Sequence, residues 1–385
     1  MALYEIRKFV APEFMFGVGA RQRVSHYARH MMARRVLIVT DPGVIASGWL
    51  SDVQTALSED GIESIVFKDL SPNPKDHEVM AGAVLYARER CDVIIAIGGG
   101  SAIDCAKGIG IVHANQCEIS AFEGVDQVNV PGPPLICIPT TAGTAADISQ
   151  FCIIVNSDER YKMAIISKTV VPDVALIDPE TTLSMDSYLT ACTGLDALTH
   201  AIEAYVSTAS SPVVDVHALA AITLIWNNIA QAVSVPDDLS ARENMLLGSL
   251  QAGLAFSNAS LGAVHALAHS LGGYLDMPHG ECNALLLEHV IRFNFEASPD
   301  RYSRIADSMG LDTRGMSERE RMKLITEALG DMRKKIGITD GLASRGVRAS
   351  EISALAKHAV KDACVVTNPR YVGIADAEAI YGEAL

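Results

Sequence analysis

The chain has 385 residues, 49% of them apolar and 20% charged, so more than one hydrophobic core and two domains are expected. A formal charge of −15 excludes a role built on gripping polyanions, which needs clustered Lys and Arg. In chain order, Arg35-Val-Leu-Ile-Val-Thr40 is a β-branched run closed by Asp41-Pro-Gly43, the pattern of a buried parallel strand entering a turn. A helix over 49–60 and a strand at 64–67 follow, then a helix over 76–90 and a strand at 92–97. A glycine-rich turn opens a helix from 101, and a strand at 134–138 ends in Pro139-Thr-Thr-Ala-Gly-Thr144. Strands separated by helices imply βαβ units and a largely parallel sheet. Beyond about residue 183 helical spacing takes over, across 189–206, 217–233, 239–255, 265–275 and 317–336. The stretch 178–186, mixing Pro and Thr, marks the change. The reading is an α/β domain over 1–183 followed by an all-α domain over 184–385.

Eight cysteines are scattered without a CxxC pair and read as reduced core thiols. The first residues, Met-Ala-Leu-Tyr-Glu-Ile-Arg, carry no signal-peptide core, and no apolar run approaches the ~20 residues of a membrane span. A cytoplasmic protein with neither nucleic-acid nor membrane partners is expected.

Four residues of the helical half read as one metal site. Asp196 and His200 stand at i and i+4 on one helix face, His265 begins a second such pair with His269, and His279 follows Pro278 in a turn. One helical histidine is more often a hydrogen-bonded structural residue, but this set of placed groups favours metal. Three imidazoles and a carboxylate suit Fe(II) or Zn(II). Glu203 is a candidate for orienting a ligand, with a solvated helix face as the competing reading, and Phe256 reads as core before pocket wall.

In the first half, Gly98-Gly-Gly-Ser-Ala-Ile-Asp104 follows a strand and opens a helix. Gly98 and Gly99 let backbone approach a phosphate, and the helix N-terminus offers free N–H groups. It is not GxGxxG, and a structural turn capped by Ser101 is the plainer alternative. Thr140, Thr141 and Thr144, at the end of another strand, add hydroxyls to the same crevice. Asp41 suits a ribose diol and would repel a 2′-phosphate, favouring NAD, although a turn-forming Asp before Pro42 fits as well. Asp104 reads first as an acid serving the helix's first turn.

These loops and the Asp/His set together make the chain resemble the iron-containing alcohol dehydrogenase family from about Phe14 to Tyr371. The resemblance includes Phe16-Gly17, Gly98-Gly-Gly-Ser101, Gly194-Leu-Asp-Ala-Leu-Thr-His-Ala-Ile-Glu-Ala204 and Thr367-Asn-Pro-Arg370. It implies a fold related to dehydroquinate synthase, with NAD(P) and metal in the cleft between the domains. It carries metal binding onto Asp196, His200, His265 and His279, and cofactor contacts onto Asp41, Gly98, Gly99, Ser101, Thr140, Thr141 and Thr144. Lys162 matches the family's basic residue near the nucleotide, and His269 lies beside the metal without being a constant ligand. The resemblance favours Fe(II), with Zn(II) or another divalent ion as the alternative, and makes a homodimer or larger homo-oligomer plausible. Ala145, Ala146 and Asp147 depart from the usual Gly-Ser-Glu, and Glu288 stands where a proline is common.

The expected function is an NAD-dependent alcohol dehydrogenase or aldehyde reductase working between a small primary alcohol and its aldehyde. A divalent ion favours the alkoxide form of an alcohol or polarises a carbonyl, and a nicotinamide takes or gives the hydride. His269 is expected to relay the proton or position the substrate. The alternatives are a metal- and NAD-dependent lyase or cyclase of the dehydroquinate synthase kind, and a non-catalytic protein that forms assemblies.

Overall fold

The computed structural model describes residues 6–159, 161–275 and 277–385. Most of the N-terminal stretch read above for a leader lies outside the described residues. The chain runs β1 (Glu13–Phe16), α1 (Val24–His30), β2 (Arg35–Val39), α2 (Pro42–Ala46), α3 (Trp49–Glu59), β3 (Glu63–Phe67), α4 (Asp76–Arg88), β4 (Val93–Gly98) and α5 (Gly100–Asn115). Next come β5 (Gly124–Val125), β6 (Leu135–Pro139), β7 (Phe151–Asn156), β8 (Tyr161–Ile166) and β9 (Val174–Ile177). Helices then follow: α6 (Ser187–Val206), α7 (Pro212–Ser234), α8 (Leu239–Ala259), α9 (Ala263–Leu275), α10 (His279–Asn294), α11 (Pro299–Ser308), α12 (Glu318–Lys335), α13 (Ile352–Ala359) and α14 (Ile374–Ala384).

The main sheet has six strands in the order β1-β9-β6-β4-β2-β3, and every pairing is parallel. From β2 the chain moves outward to β3, then returns to β4 on the other side of β2. The loops after β2 and β4 therefore flank a topological switch point, where open α/β sheets bind ligands. Strands β4 and β6 are adjacent with Gly98 opposite Pro139, which sets the glycine loop beside the Thr-rich loop. Alternation along the buried strands feeds two cores. Leu37, Val39, Ile94 and Ala96 pack toward α4 and α5, while Val36, Ile38, Ile95 and Ile97 pack toward α1 and α3.

A second sheet, β5-β8-β7, contains the antiparallel pair β7–β8 and was not anticipated; nor were β1, β9, α1, α2, α10, α11, α13 and α14. Phe151-Cys-Ile-Ile-Val155 does carry a strand-like run. Its partner begins with Tyr161-Lys-Met163, however, and a lysine in a buried strand hides the pattern. A third core joins the helices to the loop around Ala145 and Ile148. All eight cysteines are free thiols, and only Cys117 is exposed.

One membrane expectation needs correction. Helix α7, with 23 residues and a mean hydropathy of 1.4, is long and apolar enough to span a bilayer by length and composition. Here it packs on α6 and α8 through Val214, Ala218, Ile222, Ile225 and Ile229, leaving Val213 and Val216 exposed.

Candidate active site

Three helices supply the wall of candidate metal ligands: α6 with Asp196 and His200, α9 with His265 and His269, and the start of α10 with His279. His279 is thus the first residue of a helix after Pro278 and not part of a free turn. Gly280 brings α10 against α6. A Cβ there would lie 2.3 Å from the Cys192 carbonyl oxygen and 3.3 Å from Asp196 Cβ, so only glycine permits the approach. The Nε2 atoms of His265, His279 and His200 lie 3.7, 3.8 and 3.9 Å from Asp196 Oδ1. Asp196, His265 and His279 have ligand atoms all within 4.8 Å of one another, as do His269, Asp362 and Cys364.

The charges of this cluster favour a cation. Burial alone would raise Asp196, but the surrounding imidazoles hold it far below the usual carboxylate range. Burial depresses His200 to about 3 and keeps His279 well below its ordinary value, so both rings are neutral and bring lone pairs. For His265 burial acts the same way, yet hydrogen bonds to Asp196 and Glu203 outweigh it and raise the ring to about 9. A buried pocket with two carboxylates and converging imidazole nitrogens has a place for one compact positive charge. The donor set therefore fits a divalent ion.

Further partners hold these side chains. His265 Nδ1 donates to Glu203 Oε2 at 2.6 Å, and Glu203 Oε1 accepts from Val264 N at 2.7 Å. Glu203 is buried, so the solvated-face reading fails. The Thr367-Asn-Pro-Arg370 motif supports the same helix: Asn368 Oδ1 accepts from Ala263 N at 3.1 Å and from Asn294 Nδ2 at 2.9 Å. Phe256 is buried as expected for core, but it also stacks on His200 at 4.2 Å and lines the cleft. His269 Nδ1 donates to Asp362 Oδ2 at 2.7 Å, and its ring stacks on His279 at 5.2 Å. His269 holds Asp362 down at about 2 despite burial.

Opposite stands the loop wall. A cleft of about 500 Å3 is lined by Gly99, Ser101, Thr141 and Thr144 of the loops and by Asp196, His200, His265, His269 and His279 of the helices, with Lys162 on the lining beside α9, its Nζ 3.2 Å from where a Cβ at Gly272 would stand. No side chain caps α5, whose N-cap is Gly99, so the N–H groups of its first turn face the cleft without a side-chain acceptor. Ser101 lies inside that helix and gives its hydroxyl to the Pro72 carbonyl, which rules out the turn-capping reading. Three expected cofactor residues do not reach the cleft wall. Gly98 closes β4 behind the loop; a Cβ there would meet Ala102 Cβ at 2.7 Å. Thr140 is buried and donates its N–H to Gly98 O at 3.0 Å. Asp41 caps α2, its Oδ1 accepting from Gly43 N at 2.8 Å and Val44 N at 3.1 Å, as the turn-forming reading held. Its Oδ2 nevertheless stays beside Gly98, 3.2 Å from where a Cβ would stand.

Asp104 is a correction: it lies beyond the first turn of α5, lines the cleft, and burial pushes it up to about 6. The family departures also find places. Ala145 adopts a left-handed φ of 46°, and its methyl fills the space above Gly253 on α8. Ala146 is buried. Glu288 is not at the metal wall; its Oε1 accepts from Arg333 Nη2 at 3.1 Å and ties α10 to α12. Asn283, Asp362 and Asn368 were missed. Asn283 had a signal, since it stands at i+4 from His279 and repeats the spacing of the two recognised pairs.

Comparison with known proteins completes the picture. The family model described as "Iron-containing alcohol dehydrogenase" matches residues 11–179, and "Fe-containing alcohol dehydrogenase family, C-terminal" matches 190–385. The chain is 40% identical to a 1,3-propanediol dehydrogenase of Citrobacter freundii, covering 95% of this chain and 96% of that protein. It is 37% identical to an NAD-dependent methanol dehydrogenase of Bacillus methanolicus, covering 98% and 99%. A crystal structure of 1,3-propanediol oxidoreductase superimposes with a TM-score of 0.96 at 38% identity, over 99% of this chain and 100% of that one.

Proposed function

The chain belongs to the iron-containing alcohol dehydrogenase family, and on that premise we propose how its own residues carry out the family's chemistry. It is an NAD-dependent oxidoreductase that interconverts alcohols and aldehydes. The observation that carries the residue assignments is the single cleft shared by a converging Asp/His set and an uncapped helix N-terminus. Asp196, His200, His265 and His279 hold the divalent ion, with Fe(II) preferred over Zn(II). When bound, the ion acts as a Lewis acid toward the substrate oxygen and the nicotinamide takes up or delivers the hydride.

The rest falls to the protein. The α5 N-terminus and Thr141 and Thr144 receive the cofactor's phosphates, with Gly98, Gly99, Ser101 and Thr140 shaping the loops. Lys162 adds positive charge on the facing wall, and Asp41, at the switch point, disfavours a 2′-phosphate and so selects NAD. His269 moves the hydroxyl proton at Nε2, because its Nδ1–H is committed to Asp362. Leu189, Cys192, Phe256 and Leu261 leave apolar surface beside the metal wall, which suits a small uncharged primary alcohol. 1,3-Propanediol and methanol, named for two relatives, are small uncharged primary alcohols, and lactaldehyde, named for a third, is a small uncharged aldehyde. The lyase alternative loses ground to relatives that are oxidoreductases, as does a purely structural role. We place the enzyme in the cytoplasm as a homodimer or larger homo-oligomer, with domains meeting near residue 183.

The test is NADH formation from a panel of small primary alcohols by protein loaded anaerobically with Fe(II) or Zn(II). Turnover that requires metal supports the assignment, and activity restored by Zn(II) alone rejects iron. His269→Ala should lose turnover while retaining metal; lost metal would make it a ligand.

A further inference from the structure

Asn283 is a polar side chain at the metal wall that this chemistry leaves unused. It is buried one turn beyond His279 on α10. Its Nδ2 lies 2.6 Å from Asp196 Oδ1, 3.1 Å from His265 Nε2 and 3.4 Å from His279 Nε2. The shortest of these contacts fixes which way the amide faces, because an amide oxygen at that distance from a carboxylate would be repelled. The opposite end, Oδ1, is buried and accepts no hydrogen bond among the described residues. A half-satisfied buried amide is costly, so the pull of the Asp196 carboxylate must hold this orientation.

The oxygen Asn283 touches is the one on which the three imidazoles converge. An N–H donor and a cation directed at the same lone pairs compete. We propose that Asn283 sets the metal affinity: its amide N–H occupies Asp196 in the metal-free protein, keeps the three-helix wall assembled, and yields when the ion arrives. This rests on reading Asp196, His200, His265 and His279 as the ligand set. A bond made only in the metal-free state stabilises that state and weakens binding by the same free energy. The unpartnered Oδ1 agrees with a group that turns, since no donor locks the amide from behind.

The experiment compares wild type with Asn283→Ala by Zn(II) competition against a chromophoric chelator, and by thermal unfolding of metal-free and Zn(II)-loaded protein. Loss of a hydrogen bond to a charged group should tighten Zn(II) binding about ten- to a hundredfold. The melting temperature should fall more in the metal-free protein than in the loaded one. Asn283→Ser, which keeps a small polar group and guards against misfolding of the first variant, should shift both readouts the same way by less. Weaker or unchanged Zn(II) affinity in these variants overturns the proposal and makes Asn283 an ordinary support of the bound geometry. If wild type itself fails to bind Zn(II), or His265→Ala binds it as well as wild type, the ligand set fails instead. The two failures are therefore distinct.

Discussion

The two walls of the cleft are built on different principles. The helical wall works through side chains, each imidazole or carboxylate aimed by its place on a helix and two of the imidazoles held by a second carboxylate, as Glu203 holds His265 and Asp362 holds His269. The loop wall works through backbone: a glycine turn, an uncapped helix N-terminus and a neighbouring loop fixed by strand register. The first kind of wall is preorganised around one point of charge. The second leaves donors along an open surface, which suits an extended anionic cofactor. Changes in the helical wall should therefore abolish metal binding stepwise, while changes around the loop wall should act on packing and stability.

The largest effect is expected for His265→Ala. Metal content should drop to background, and kcat/KM should fall by more than the ~100-fold that loss of an outer partner costs. Elemental analysis beside steady-state kinetics checks this, and normal metal content would remove His265 from the ligand set. Next comes Glu203→Gln, which keeps the size but not the charge that His265 Nδ1 donates to. Metal affinity should weaken ~10- to 100-fold with the fold intact. Unchanged affinity in a chelator titration would reduce Glu203 to a helix-packing residue.

The smallest effect probes the loop wall through stability. Ala145 carries a methyl at a left-handed φ, and a Cβ at Gly253 would come within 2.5 Å of it. Gly253→Ala should cost ~1–3 kcal/mol by overpacking. Ala145→Gly in the same chain should recover most of that loss, since it removes the opposing methyl and relieves the backbone. Denaturant unfolding of the single and double variants measures the coupling. Additive losses would show that the two positions do not face each other.

The same contrast explains what could be read from the amino-acid sequence. Asp196, His200, His265 and His269 were legible because spacing on a helix decides which side chains share a face. His279 was found, but its helix was not, and with that helix went Asn283. Asp362 and Asn368 are far from their partners in sequence, and only the packing of α9 brings them close. On the loop wall, glycines announced a turn but could not say which residues reach the cleft. That depends on the register of β4 with β6, which leaves Thr140 and Gly98 behind the surface and Thr141 and Thr144 on it. Glu288 showed as a departure from the family pattern, yet its partner Arg333 lies on another helix and no local pattern connects them.

Hydride transfer requires the two walls to act on one substrate. The direct measurement is a single turnover of metal-loaded enzyme with NAD and a primary alcohol deuterated at its hydroxyl-bearing carbon, followed by isotopic analysis of the nicotinamide. Deuterium should appear at C4 of the reduced cofactor with wild type and be absent with Asp196→Ala under the same loading. Equal transfer by the two proteins would contradict a shared metal and nucleotide cleft.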